Sequence, residues 1–297
     1  MLKFTFPEMF CLILAVNFKL NLLNNSILKL SCLLILVIFL RIQSSGQCYL
    51  KNTTFAAGEK LRYTVYYNLQ FIWMEIADIE FNVTKVNYLG RNCLKLSSTW
   101  KTRPKYDWIM HVDDKYEAIL ATDSIIPYEY NQQIIEGKYK SNVKYIYNQH
   151  KNLIYAWIDN SNKQKKFDSI PVNRCIFDLL TSIYYIRNLN YPSFYPGQKI
   201  PYSAILGDKI NKLEITYSGK EFVKLKNDKK VYSHKILPSI ATTEMFKGGK
   251  EKFTAWFSED KNQLPVMAET ELFLGSVKLI LSSYEGQKYP LKAEKGN

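Results

Sequence analysis

Few residues in this chain have the type and spacing to do chemistry. Asp113-Asp114 and Glu259-Asp260 are paired carboxylates, and a glycosidase needs two carboxyls facing each other across a cleft. Asp260 lies between Trp256 and Pro265, in a stretch that reads as a turn, where Ser258 or Asp260 would bond the backbone. The histidines are His111, His150 and His234; none forms a His-x-x-x-His pair or stands at zinc spacing from a cysteine. No Gly-x-Ser-x-Gly elbow, phosphate loop or dinucleotide fingerprint is present. Cys48, Cys93 and Cys175 lack metal spacing; a Cys93–Cys175 disulfide and two buried thiols both remain open. The residues therefore call for no metal and no cofactor.

Aromatic side chains are the stronger signal. Trp73, Trp100, Trp108, Trp157 and Trp256 all fall in strand-like segments. On the concave side of an incomplete barrel, such rings either line an apolar cleft or form ordinary core. Trp73 and Trp108 are the candidates for a cleft wall. Arg187, at the end of a helical stretch, would meet an acidic head group there or, by default, interact with the helix dipole.

The element that must position these residues is Cys175–Asn190. Asp178 is a natural N-cap, Leu179, Leu180, Ile183, Tyr184 and Ile186 follow at near-helical spacing, and Asn188 and Asn190 end the run. A helix of roughly three turns is marginal alone and must bury its apolar stripe. Alternation predicts strands at Leu61–Tyr67, Phe71–Val83, Leu94–Trp100, Trp108–Leu120, Tyr128–Ile135, Lys138–Tyr147 and Leu153–Ile158 before it. After it come Gln198–Leu206, a hairpin of Lys212–Tyr217 and Glu221–Leu225 about Ser218-Gly219, then Lys252–Ser258, Leu264–Leu274 and Ser276–Tyr284. The expected fold is mainly β: a large curved antiparallel sheet, half-barrel or barrel-like, packed on one short amphipathic helix. The loop at 190–197 is the candidate subdomain hinge.

Residues 1–46 read as a leader. Lys29, the apolar run Leu30–Leu40 and Ser44 and Gly46 at the −3 and −1 positions predict cleavage before Gln47. Eleven helical residues cover roughly 17 Å, short of a bilayer core of about 30 Å. Arg41 leaves an uncleaved anchor open, and Cys48 leaves lipidation open. The expected location is the periplasm or envelope. The net charge of +13 comes mostly from lysine, with arginine only at 41, 62, 91, 103, 174 and 187. Guanine and phosphate readout favours arginine, so nucleic acid is set aside in favour of a solvated basic surface or attraction to anionic membrane or glycan.

Four stretches resemble the DUF3108 family, exported proteins of Gram-negative bacteria with no established biochemical function. They are GEKLRYTVYYNLQFIWMEIADIEF (58–81), Asp107–Leu120 with Ile126-Pro127, DLLTSIYYIR (Asp178–Arg187), and TAWFSEDKNQLPV (Thr254–Val266) with Leu274-Gly275-Ser276. The chain departs from the pattern at Ala77-Asp78, where glycine is expected. The stretches span nearly all of 55–290, and the resemblance implies a sheet curled around a helix, like the half-barrel of lipoprotein carriers, in a single domain expected over 47–297. The leading expectation is an exported, non-enzymatic envelope protein that binds a lipid or amphiphile or docks an envelope partner. An enzyme acting on envelope glycan through Asp113 or Asp260 is the alternative, and a purely structural interaction module the third. The oligomeric state is left open.

Overall fold

The computed structural model describes residues 50–69, 72–172, 175–225, 229–239, 253–272, 275–290 and 294–295. The leader and Cys48 lie outside them. Cys48–Asn297 forms one compact unit.

Two antiparallel meanders make the sheet. The first is β1 (Lys60–Leu69), β2 (Ile72–Tyr88), β3 (Arg91–Thr102), β4 (Asp113–Ala121), β5 (Pro127–Glu136), β6 (Tyr139–Asn148), β7 (Leu153–Asn160) and β8 (Lys163–Pro171). The helix α1 (Leu179–Arg187) follows. The second is β9 (Lys199–Leu206), β10 (Lys209–Lys224), β11 (Lys230–Pro238), β12 (Phe253–Ser258), β13 (Pro265–Glu271) and β14 (Ser276–Glu285). Pairing of β1 with β14 joins them, so the order runs from β8 down to β1 and then from β14 down to β9. The two-residue β15 (Glu294–Lys295) pairs with β11 off this path.

The end strands β8 and β9 share no ladder, yet the sheet curls until they approach. The β9–β10 turn reaches the far end of the path: Tyr145 OH donates to the Gly207 carbonyl at 2.7 Å and Lys166 Nζ to Asp208 at 2.7 Å. Phe177 covers the β9 edge, its N–H donating to Ser203 O and its carbonyl accepting from Ile205 N–H.

Inside, one parity of each strand meets α1. Leu61, Tyr63 and Val65 of β1, Leu94 and Leu96 of β3, and Tyr116, Ala118 and Leu120 of β4 are buried. The helix starts where Asp178 accepts from Thr181 N–H at 2.8 Å while the Thr181 hydroxyl accepts from Asp178 N–H at 3.0 Å. It stops where the Asn188 side chain donates to Tyr184 O at 2.9 Å. A one-sided apolar stripe was expected, but Leu180, Thr181, Ser182, Tyr184, Ile186 and Arg187 are all buried. The helix buries polar as well as apolar residues, and Thr181 and Arg187 find their partners indoors.

Two further elements depart from the sequence reading. The residues around Ser218-Gly219 are not a hairpin turn: β10 runs through them, with Gly219 at φ +96° and the register shifting between Tyr217 and Lys220. This is a bulge, which a glycine in the left-handed region permits. Trp108 does not open β4; it follows a short 3-10 helix at Pro104–Tyr106, in a turn where Ile109 and Met110 N–H donate to Tyr106 O. The 190–197 loop holds Tyr191, buried and stacked on His234 at 4.7 Å.

Candidate functional site

One void lies beside α1 on the concave side. Leu61, Phe81, Ile183, Tyr184, Arg187 and Pro265 surround a void of only about 10 Å³, the space of one water at most. Arg187 has its partner within the chain. It is 0% exposed and forms a fork with Glu59, NH1 to Oε1 at 2.7 Å and NH2 to Oε2 at 3.0 Å. It donates also to Asn262 O at 3.0 Å and Gln263 O at 3.3 Å. Burial opposes its charge, but the adjacent Glu59 carboxylate more than offsets this and holds its pKa above the usual arginine range. The pairing spans 128 residues of sequence, and helical spacing carries no signal of it.

Trp73 and Trp108, expected on the concave wall, instead stand at one end of the barrel, 47% and 82% exposed. Two neighbouring turns present them. The β1–β2 hairpin carries Leu69, Ile72 and Trp73, and the β3–β4 connection carries Trp108, Ile109 and Met110, all exposed. Arg103 locks the base of that connection onto β2, with a fork to Asp78 at 2.8 Å on both arms and a bond to Glu75. Asp78 thus has a structural use where the family pattern suggests glycine. His111 O accepts from Gly137 N–H at 2.7 Å, tying in the β5–β6 turn. The rim is braced at its base, and its apolar tips point to water. Lysines flank it: Lys278 Nζ lies 5.0 Å from the Trp73 ring centre and Lys105 Nζ 4.7 Å from that of Tyr106.

The carboxylate pairs have other occupations. Asp113 pairs with Lys101 at 3.5 Å. Asp114, buried, accepts from Ile135 N–H at 2.9 Å and Tyr116 OH at 3.1 Å, and burial raises its pKa. Glu259 pairs with Lys220, while Asp260 accepts from Ser258 OH, Asn262 N–H and Gln263 N–H in the β12–β13 turn. Four strands of the sheet path, β3, β2, β1 and β14, separate Asp113 from that turn. Among the described residues, no group of three or more His, Cys, Asp or Glu is placed to hold a metal. Cys93 is a free buried thiol and Cys175 is disulfide-bonded, so these two do not pair with each other; the partner of Cys175 lies outside the described residues.

Two buried titrating groups oppose one another. Burial lowers His234 to about 4; its Nδ1 lies 3.1 Å from Tyr217 OH. Burial raises Asp178 to about 6 despite its hydrogen bonds to Thr181 and Tyr147. His234 contributes stability that is full above about 6.5 and is lost as pH falls toward 4; Asp178 contributes stability that is full below 3.8 and is lost as pH rises toward 6. Each slope is about 1.4 kcal/mol per pH unit where fully developed. Relative to wild type, His234→Gln is expected to gain stability on acidification from pH 6.5 to 4, and Asp178→Asn, which keeps an N-cap, to lose it. Urea midpoints across that range check both signs.

No curated protein matches the chain. Among solved structures, the crystal structure of a beta-barrel-like protein of domain of unknown function DUF1849 from Brucella abortus is similar in fold. Its TM-score is 0.51 at 6% identity, over 78% of this chain and 98% of that one. Residues 62–282 match the family described as "Protein of unknown function (DUF3108)", and the chain belongs to that family.

Proposed function

We propose that this is an exported cell-envelope protein that acts by binding rather than catalysis, and that its apolar rim docks on the head-group layer of an anionic bilayer. One observation carries the reading: six large apolar side chains stand exposed on two braced turns at one end of the curled sheet. Tryptophan suits an interface, with an apolar body and one N–H donor. Basic charge complements anionic lipid: Lys105 flanks the rim, as does Lys278, which also pairs with Glu269 at 3.2 Å. Export is supported by the Lys29–Gly46 pattern. An amphiphile remains the partner, but it is met as a surface and not carried inside.

Vesicle flotation tests this. Wild type is expected to float with vesicles rich in anionic lipid, less so in neutral ones, and progressively less as salt rises. Trp73→Ser with Trp108→Ser should lower the bound fraction at least tenfold while leaving the unfolding midpoint within about 0.5 kcal/mol. A wild-type protein that stays at the bottom of the gradient with anionic vesicles would overturn the reading.

A further inference from the structure

The outer face of β4–β8 holds a second feature, away from the rim. A groove of about 580 Å³ runs across it, lined among others by Lys115, Gln133, Asn142, Lys144, Trp157 and Asp159. That volume is in the range of ligand sites. Strand register explains its composition. Lys115, Gln133, Asn142 and Asp159 are successive partners across β4, β5, β6 and β7. In the next row Glu117, Asn131, Lys144, Trp157 and Phe167 are partners across β4 to β8. Residues directly opposite in antiparallel strands share a face. Each row is therefore a ladder of side chains, polar along most of its length, and the second is aromatic at its β7–β8 end.

The aromatic end is exposed: Trp157 is 40% and Phe167 57% accessible. Their ring centres are 5.0 Å apart, and Tyr155 stacks on Phe167 at 6.4 Å and 9°. The outward face of an antiparallel sheet is ordinarily polar, and the enclosed core gains nothing from these rings.

We propose that this groove binds an extended glycan chain. A sugar ring has an apolar C–H face, which stacks on an aromatic ring, and an edge of hydroxyls that both donate and accept. Asn131, Gln133 and Asn142 supply amides that also do both, beside lysine donors and carboxylate acceptors. The charges are largely balanced locally: Lys165 pairs with Asp159 at 2.9 Å, Lys144 with Glu129 at 3.0 Å and Lys95 with Glu117 at 2.7 Å. That balance favours a neutral chain over a nucleic acid, and the polar floor is unsuited to a fatty acyl tail. The site does not hydrolyse what it holds. Glu117 and Asp159 stand three strand spacings apart, about 14 Å, beyond the roughly 5–9.5 Å that glycosidase carboxyls need.

The test is fluorescence titration and calorimetry of the full protein with cellohexaose and chitohexaose. Saturable binding of at least one is expected, with Trp157→Ala weakening it tenfold or more and Asn142→Ala several-fold. Circular dichroism should show both variants folded, since both side chains lie on the outer face. Trp73→Ser with Trp108→Ser should bind the glycan as wild type does, so failure of the rim proposal and of this one are separable. No saturable binding of either probe, or an affinity unchanged by Trp157→Ala, would overturn it.

Discussion

Replacing Glu59 with alanine is expected to destabilise the protein by about 3–5 kcal/mol, the range for stranding one partner of a buried ion pair. Both side chains are almost wholly inaccessible. Without Glu59, the Arg187 guanidinium keeps the Asn262 and Gln263 carbonyls and the Phe55 and Tyr184 ring faces, none of which carries the negative charge that Glu59 supplies. The loss exceeds one contact because several segments meet here. Glu59 precedes β1 and its carbonyl accepts from Val83 N–H. Arg187 ends α1, its carbonyl accepting from the Gln263 side chain. Asn188 next to it accepts from Thr53 N–H at 2.7 Å. The clasp thus joins the segment before β1, the helix and the β12–β13 turn. Adding Arg187→Met to Glu59→Ala should recover most of the lost stability, because apolar packing can replace a buried pair. Urea midpoints of the two single variants and the double variant make the cycle. A Glu59→Ala variant within about 0.5 kcal/mol of wild type would show that the clasp is not formed.

Gly275→Ala and Gly286→Ala are expected to be the next most damaging changes, each costing at least about 2 kcal/mol. The seam between the meanders runs from Asn68 opposite Ser276 to Lys60 opposite Glu285, and these glycines bracket it. A Cβ on Gly275 would stand 1.8 Å from Asn68 O, and one on Gly286 2.0 Å from Gly58 O. Both have positive φ, +88° and +70°, so the strain of a left-handed alanine adds to a clash with backbone that cannot swing away. Gly90 is the control: φ is +78°, yet nothing lies within 4 Å of its Cβ position. Gly90→Ala should carry the backbone strain alone, about 1–2 kcal/mol. Equal midpoints for all three variants would mean that the seam does not require these close approaches.

How much of this is visible before folding depends on the range of the signal. Alternation locates β1, β3, β6 and β7, and Asp178 marks the start of α1, because period and capping are local properties. β8 escapes the same reading. Its sequence KQKKFDSIP is crowded with lysine and does not alternate, as suits an edge strand that must discourage further pairing. Gly219 looks like a turn since bulge and turn call for the same left-handed glycine; only the pairing of β10 with β9 and β11 on both sides separates them. Alternation places Trp108 at the start of a strand, but Pro104 and the Arg103 fork set the chain there into a protruding turn. The roles of Arg187 and of the outer groove depend on partners far away in sequence, Glu59 in one case and the β4–β8 register in the other. Of the three rings singled out here, Trp73, Trp108 and Trp157, sequence identifies the residue type while folding decides which meets water.

The most direct test of rim docking is quenching of tryptophan fluorescence by vesicles whose acyl chains carry bromine just below the head groups. Quenching of wild type is expected in anionic vesicles. It should be largely lost when Trp73 and Trp108 are both phenylalanine and retained when Trp157 alone is replaced. Absence of quenching in wild type, or quenching indifferent to the loss of Trp73 and Trp108, would contradict docking through this end of the barrel.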